Sequence, residues 1–235
     1  MIKFKDILEN KILVPRRLDT RKEDQKRVIL QKIQQYIKDG SKGNLDLNDT
    51  PITSLPDNLE TVGGSLDLRN TPITSLPNNL TVEGSLDLEN TPITSLPKNL
   101  KVVRSLYLNN TQITSLPDNL KVGDSLNLRN TPITSLPDNL TVGGYLDLYK
   151  TKITSLPNNL TVGATLNLYN IKISSLPNNL TVGGYLGLEN TLINSLPDNL
   201  KVEGDLNLVD TPISKKYSKE EIRKMVPGVE GKIEV

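Results

Sequence analysis

The chain contains no cysteine, no histidine and no tryptophan, and it has a single phenylalanine. The absence of cysteine excludes a disulfide framework, a thiolate nucleophile and a cysteine zinc site. The absence of histidine removes the commonest general base and the commonest metal ligand. The sequence therefore predicts a protein that is not an enzyme and that has no catalytic residue, no metal site and no cofactor. Its core must be built from leucine, isoleucine and valine.

Long apolar runs are also missing. The N-terminal segment MIKFKDILENKILV is interrupted by Lys5, Asp6, Glu9 and further polar residues, so it lacks the apolar core of a signal peptide. No later run is long enough to span a bilayer. We therefore expect a soluble, cytoplasmic protein without membrane contact. Its formal net charge of +1 does not by itself indicate nucleic acid as a partner.

The chain is instead dominated by a repeat. The motif SLPxNL recurs eight times, first at an interval of 21 residues, where Glu60 is inserted, and then at intervals of 20. A period this short predicts a solenoid, in which each coil buries its apolar side chains only against neighbouring coils. The prolines of the motif are Pro56, Pro77, Pro97, Pro117, Pro137, Pro157, Pro177 and Pro197.

Each coil is expected to contain one short strand and one irregular flank. The segment GSLDL at residues 64–68 alternates as a strand does, and stacked copies would form a parallel sheet with about 4.8 Å between coils. The proline of SLPxNL makes the opposite flank irregular or polyproline-like. The glycines of TVGG, residues 61–64, are expected to adopt positive φ at a tight corner. The inward residues of one coil are predicted to be Leu66, Leu68, Ile73, Leu76, Leu80 and Val82.

The residues before the repeat predict an N-terminal cap. For the first fourteen residues we expect a short amphipathic helix and an extended piece, broken at Pro15. Thr20 and Glu23 have the spacing of a capping box and Gly40 supplies a stop, so a helix is predicted from about Arg21 to about Lys38. Its apolar stripe would cover the open end of the first coil. That stripe consists of Ile29, Leu30, Ile33 and Ile37.

The residues after the repeat predict a second cap. Ser218 and Glu221 repeat the capping-box spacing, so a helix is expected from about Lys219 to about Met225. Residues 229–235 read like residues 202–208 and are predicted to form a last strand. The chain thus divides into an N-terminal helical cap at 1–42, an array of about eight 20-residue coils at 43–213, and a C-terminal cap at 214–235.

The pattern LxLxxTxIxxLP, as at residues 86–97, resembles the leucine-rich repeat, whose conserved segment is LxxLxLxxNxL. The period and the LP step look most like the 20-residue class known from bacterial effector proteins. The array with its basic N-terminal helix is also similar to repeat proteins predicted in bacteriophage genomes. The resemblance, over residues 43–210, implies an α/β, β-rich repeat fold: a leucine-rich-repeat solenoid with a parallel sheet on its concave face. It also implies protein binding, in the host cytoplasm if the protein is viral.

The chain departs from the family pattern at two positions. The family's asparagine is threonine here, and we expect a threonine ladder to perform part of its hydrogen bonding, with Ile171 making an apolar patch instead. A regular leucine of the family is replaced by Gly63, Glu83, Val103 and Ala164, and we expect Val82, one residue earlier, to serve in its place. The threonines are Thr50, Thr71, Thr91, Thr111, Thr131, Thr151, Thr191 and Thr211.

Tyrosines cluster at outward positions of the predicted strands. Tyr149 and Tyr169 are one coil apart, and Tyr145 and Tyr185 are two coils apart. Clustered exposed tyrosines are typical of binding anchors, although tyrosine also suits strands in general. We predict a partner-binding site that consists of Tyr107, Tyr145, Asp147, Tyr149, Asn167, Tyr169 and Tyr185.

Two other clusters carry charge. The strand carboxylates Asp46, Asp67 and Asp87 lack a calcium loop, so we expect them to be solvated. Residues 1–43 contain 12 Lys and Arg against 6 Asp and Glu. This basic head is either the solvated face of a cap helix or a contact for phosphate or an acidic partner. The residues concerned are Arg16, Arg17, Arg21, Lys22, Lys26 and Arg27.

We therefore predict a non-catalytic protein–protein interaction module that binds a protein of unknown identity on the concave strand face, as a monomer or a weak oligomer. Two alternatives stay open. The repeat could be a structural spacer or decoration protein of a virion. It could also be an accessory protein that binds nucleic acid through the basic N-terminal cap, although nucleic acid is not the partner we expect.

Overall fold

A computed structural model describes residues 13–158 and 160–235 of the chain, with side chains from residue 23 onward. Successive coils place a two-residue strand at the same position each time, and these strands pair side by side in parallel to form sheet A. The ten strands of sheet A are, in spatial order, β1 (Leu45–Asp46), β3 (Leu66–Asp67), β5 (Leu86–Asp87), β7 (Leu106–Tyr107), β9 (Leu126–Asn127), β11 (Leu146–Asp147), β13 (Leu166–Asn167), β15 (Leu186–Gly187), β17 (Leu206–Asn207) and β18 (Ile233–Glu234).

The register of sheet A is one full repeat per strand. Leu66 lies opposite Leu86 and Asp67 lies opposite Asp87, and the same pairing continues along the array. The leucines face inward because side chains alternate along a strand and only one face is buried. The solenoid with a parallel sheet and an irregular flank, predicted from the repeat, is confirmed.

A second parallel sheet, sheet B, was not predicted. It forms where the Thr-Val or Lys-Val pairs of successive coils come into register, because each pair sits one repeat from the next. Its eight strands are β2 (Thr61–Val62), β4 (Thr81–Val82), β6 (Lys101–Val102), β8 (Lys121–Val122), β10 (Thr141–Val142), β12 (Thr161–Val162), β14 (Thr181–Val182) and β16 (Lys201–Val202).

The core is a single column of aliphatic side chains between the two sheets and the flank. All six inward residues predicted for a coil are buried, which confirms that part of the prediction: Leu66, Leu68, Ile73, Leu76, Leu80 and Val82. Ile171 is also buried, at a position where other coils have threonine. Each coil contributes its apolar side chains to neighbours on both sides, as expected for a solenoid.

The corner glycines do not have the backbone conformation that was predicted. Among the described glycines only Gly40 and Gly43 have positive φ, so the expectation for the TVGG corner is wrong. Their role is close approach: a Cβ on Gly143 would overlap the carbonyl oxygen of Gly123 in the preceding coil. Positive φ occurs instead three residues after each sheet A strand from β1 to β17, as at Asn70, where φ is 56°. Asparagine tolerates this left-handed conformation better than most residues.

The N-terminal helix α1 is described over Leu13–Lys38. The predicted break at Pro15 and start at about Arg21 are therefore wrong. Pro15 is the third residue of the described range, and a proline in a first turn removes no intrahelical hydrogen bond. The predicted stop is correct: Gly40 has a φ of 84°, and Ser41 N–H donates to the carbonyl of Tyr36 in a Schellman arrangement. The expectation for residues 1–12 lies outside the described residues.

Helix α1 packs on the first coil through only part of the predicted stripe. Ile33 is fully buried and Ile29 and Ile37 are partly buried against the core, but Leu30 is 39% exposed and does not belong to it. Tyr36 lies on the covered side instead. Its hydroxyl is 2.8 Å from the carbonyl oxygens of Ser41 and Gly43, and burial raises its pKa.

The C-terminal end contains α2 (Pro212–Lys216), which was not predicted, and α3 (Lys219–Met225), which was. Ser218 and Glu221 form the expected capping box. Strand β18 pairs with β17 so that Ile233 lies opposite Leu206, the register read from the sequence. Among the described residues no helix is both long enough and apolar enough to cross a membrane. The domain boundaries at 42/43 and 213/214 stay a prediction.

Candidate protein-binding face

The outward positions of sheet A carry the tyrosines that the sequence singled out. We call Tyr145, Tyr149, Tyr169 and Tyr185 the tyrosine patch. Tyr145 and Tyr149 flank strand β11, Tyr169 follows β13 and Tyr185 precedes β15, so the patch spans three adjacent strands. Each position is outward because the leucines between them point into the core.

Two of these tyrosines stack. The ring centroids of Tyr149 and Tyr169 are 5.1 Å apart and the ring planes differ by 12°. The guanidinium carbon of Arg129, from the preceding coil, lies 4.3 Å from the centroid of Tyr149. Lys150 Nζ lies 5.0 Å from the same centroid. Cation–π contact with Tyr149 orients the ring, and Tyr149 in turn orients Tyr169.

Tyr145 covers a buried carboxylate instead of projecting into solvent. Its hydroxyl donates to Asp147 Oδ2 at 3.1 Å, while Asn167 Nδ2 and the backbone N–H of Tyr149 donate to Asp147 Oδ1 at 3.0 and 2.9 Å. Asp147 is only 4% exposed. Burial, followed by the charge of Asp147, raises the pKa of the Tyr145 hydroxyl. Asp147 and Asn167 therefore hold the tyrosine ring in place, and their direct contact with a partner stays a prediction.

Tyr185 occupies space left by a glycine. A Cβ on Gly187 would lie 2.8 Å from Tyr185 Cε1, so the ring lies directly over Gly187. Burial raises the pKa of the Tyr185 hydroxyl, and a hydrogen bond with Asn207 partly offsets this increase. The other coils carry Asp, Asn or Tyr at the position of Gly187, and that difference is the sequence signal for this arrangement.

The structure separates Tyr107 from the tyrosine patch. Tyr107 lies on β7, two strands from β11, and is half-buried. Sequence reasoning missed Arg129, which shares an outward column with Tyr149 and Tyr169 and could have been found by reading that column as a whole. It also missed Asn207, which holds Tyr185.

Arg69 forms ion pairs with the strand carboxylates Asp67 and Asp87 near the N-terminal end of sheet A. Arg69 Nη2 lies 2.6 Å from Asp67 Oδ2 and Arg69 Nε lies 3.4 Å from Asp87 Oδ2. The hydrogen bonds and charge of Arg69 lower the pKa of Asp67 against the effect of its partial burial, whereas burial raises the pKa of Asp87. In the part of the chain that the structure describes, no group of three or more acidic side chains has the arrangement of a metal site.

The basic head is only partly described. Lys26 and Arg27 form ion pairs with Glu23 and Asp24, each at 3.3 Å and one helical turn apart on α1. These pairs reduce the cationic character of this face. The other four residues of the predicted cluster have side chains outside the described part: Arg16, Arg17, Arg21 and Lys22.

The threonines and asparagines of the turns hold the coils together without forming a site. Thr71 Oγ1 donates to the carbonyl of Leu68 in its own coil at 2.6 Å, and the equivalent threonines do the same. Asn90 Nδ2 donates to Asn70 Oδ1 of the preceding coil at 2.9 Å. In the turns, side-chain hydrogen bonding between coils therefore comes from the asparagine one residue before the threonine and not from the threonine itself.

No protein-family model matches the chain, and no curated protein matches it. Among solved structures, the chain is similar to a leucine-rich-repeat protein of Leptospira interrogans, with 28% identity and a TM-score of 0.49 over 80% of this chain and 60% of that one. It is also similar to YopM from Yersinia enterocolitica, with 17% identity and a TM-score of 0.23 over 73% and 67%. The chain thus spans 60% of the length of the Leptospira protein.

Proposed function

We propose that the protein is a non-catalytic leucine-rich-repeat module that binds a protein partner on sheet A, with the tyrosine patch at the centre of the contact. The observation that carries this proposal is the stacked pair Tyr149 and Tyr169, held at 5.1 Å on adjacent strands with Arg129 against it. Aromatic side chains and arginine are the residue types most enriched among residues that dominate binding energy.

Preorganisation supports the same proposal. Tyr145 and Tyr185 are held by hydrogen bonds with Asp147 and Asn207, and Tyr149 is stacked on both faces. Side chains already fixed in one rotamer lose little entropy when a partner binds, at a saving of about 0.5–1.5 kcal/mol for each. A tyrosine that is present only because it suits a β-strand would need neither these hydrogen bonds nor this stacking.

The test is affinity purification with mass spectrometry from the native cell. The bait variant replaces Tyr149 and Tyr169 by serine, because these two rings cover no buried polar group. The matched control replaces Ser155 and Ser175 by alanine, on the exposed flank of the same two coils. We expect a stoichiometric partner with the wild type and the control, and its loss with the tyrosine variant. Equal recovery of that partner with all three baits would overturn the proposal.

The spacer alternative and the nucleic-acid alternative predict other outcomes. A virion spacer or decoration protein would be present in purified particles at fixed stoichiometry, regardless of the two tyrosine substitutions. A nucleic-acid accessory would bind with a steep salt dependence that is abolished by deletion of residues 1–39. The ion pairs of Lys26 and Arg27 with Glu23 and Asp24 disfavour this second alternative.

A further inference from the structure

In one column of outward positions on sheet A, the side-chain charge changes from positive to negative along the array. The column contains, on four successive coils, Arg129, Tyr149, Tyr169 and Glu189. The backbone N–H of Asn170 donates to the carbonyl of Glu189 at 3.1 Å, which places Glu189 on the coil next to Tyr169. With strands about 4.8 Å apart, Glu189 is the next outward residue beyond Tyr169 in this column.

The two tyrosine rings differ in what covers them. Tyr149 has Arg129 on one face and Tyr169 on the other. Among the described residues, no second ring and no cation lies over Tyr169, which is 39% exposed. Glu189 forms no ion pair within the described part of the chain. An open aromatic face and a carboxylate without an ion pair therefore occupy adjacent positions of one column.

The surroundings of this position are acidic. Beyond Tyr169 the outward positions of sheet A hold three carboxylates, Glu189, Asp205 and Glu234, against one lysine, Lys232. Burial, and then the charges of these three carboxylates, raise the pKa of the Tyr185 hydroxyl. A positively charged group of a partner would be attracted to this end, and the Arg129 end would repel it.

We propose that the partner of this face, on the function proposed above, inserts an arginine side chain between the outer face of Tyr169 and the carboxylate of Glu189. The guanidinium would continue the stack as Arg129 begins it, with a cation on each outer side of the tyrosine pair. Arginine fits better than lysine because its planar group stacks on a ring while its edge donates two hydrogen bonds to a carboxylate. The Tyr169 ring and the Glu189 carboxylate together favour arginine over lysine, and neither group would do so alone.

A random 12-residue peptide library displayed on phage tests this assignment with the full chain as the target. The test variant is Glu189→Arg, which reverses the charge beside the tyrosine patch. The control is Glu89→Arg, which makes the same change five coils earlier in the same column, where the column neighbours are Arg69 and Asn109. We expect wild type and Glu89→Arg to enrich peptides with one arginine in common. We expect Glu189→Arg to bind a selected peptide about tenfold more weakly, and arginine-to-lysine exchange in that peptide to weaken binding to the wild type.

The outcomes separate this inference from the proposed function. The arginine assignment is overturned if the selected peptides depend on Tyr149 and Tyr169 for binding but share no arginine. It is also overturned if they bind Glu189→Arg as tightly as the wild type. Either outcome leaves the proposed binding face intact. A wild-type selection with no peptide sensitive to the tyrosine substitutions overturns both. Circular dichroism of each variant establishes that the array is folded in every comparison.

Discussion

Hydrogen bonds of single buried side chains stabilise each coil. Thr111 is fully buried, and its hydroxyl donates to the carbonyl of Leu108 at 2.6 Å. The same carbonyl also accepts the backbone N–H of Thr111 at 3.2 Å. Loss of the hydroxyl would therefore leave this carbonyl satisfied, so the cost is that of one net hydrogen bond and not that of an orphaned polar group.

Replacement of Thr111 by valine, which keeps the shape, is expected to lower the free energy of unfolding by about 1 kcal/mol. Urea denaturation followed by circular dichroism measures the change. Thr134→Val, at an exposed position of the following coil, is the matched control and should change stability by less than about 0.5 kcal/mol. Equal effects of the two substitutions would show that the hydroxyl of Thr111 contributes nothing specific.

At the scale of the structural element, the corner between the two sheets depends on backbone contact. Gly123, Gly143, Gly163 and Gly183 stack in four consecutive coils, and a Cβ on each of the last three would overlap the carbonyl oxygen of the glycine before it. Gly63 holds the same position near the N-terminal end and other coils carry Glu83, Val103 or Glu203 there, so only the run of consecutive glycines is particular to the coils around the tyrosine patch.

Gly143→Ala should therefore force two coils apart at this corner and lower the free energy of unfolding by about 2 kcal/mol. The control is Ser155→Ala, on the exposed flank of the same coil, which should be close to neutral. Thermal and urea unfolding of both variants provide the comparison. A Gly143→Ala protein as stable as the control would mean that the corner has room for a methyl group.

The capping box of α3 makes part of the stability dependent on pH. The hydrogen bonds from Ser218 lower the pKa of Glu221 below its ordinary value of 4.5. A carboxylate whose pKa is lower in the folded state contributes stability above the unfolded pKa and loses it as the pH falls through the folded one. Wild-type stability should therefore decline more steeply below pH 4.5 than that of Glu221→Gln.

Urea midpoints between pH 7 and pH 2.5 measure this difference, and parallel curves for the two proteins would contradict it. Ser218→Ala is the companion variant. It removes the side chain that accepts the N–H of Glu221, and it should cost about 1 kcal/mol at neutral pH. In that variant the difference between Glu and Gln at position 221 should become smaller.

At the scale of the whole molecule, the array is held by contacts between neighbouring coils. Roughly six buried aliphatic side chains at about 1.5–3 kcal/mol each cannot offset the ordering of a 20-residue coil at about 1–2 kcal/mol per residue, so a coil is stable only in a stack. The ends are closed by different means. Helix α1 covers the first coil through Ile33, and Arg223 donates to the carbonyls of Val229 and Gly231 beside the last strand.

Deletion of one complete repeat, residues 103–122, should leave a folded protein because every remaining strand keeps its register. The urea m value should fall in proportion to the surface removed. The tyrosine patch lies in later coils, so peptide binding to it should be unchanged. Deletion of residues 103–112 alone is the control. It shifts the following segment by half a coil, and we expect it to abolish cooperative unfolding.

The candidate site was predictable only in part. The period placed Tyr145, Tyr149, Tyr169 and Tyr185 on one face, because a fixed repeat converts position in sequence into position on a strand. The period places Arg129 in the column of Tyr149, but it could not predict that the guanidinium lies over the ring or that Asp147 is buried under Tyr145. Those contacts depend on side-chain rotamers between coils, and no spacing encodes them.

The sequence by itself determined the coil, its inward residues, the parallel sheet and both capped ends, because an identical pattern every 20 residues allows only one register. Only the tertiary structure decided what happens between coils. It placed the left-handed residue at Asn70 and its equivalents, paired the Thr-Val segments into sheet B, and left one face of Tyr169 open beside Glu189. The physical reason is that a repeat fixes the register between copies, whereas turn dihedral angles, the pairing of short second segments and the rotamers of outward side chains depend on local contacts that a period does not encode.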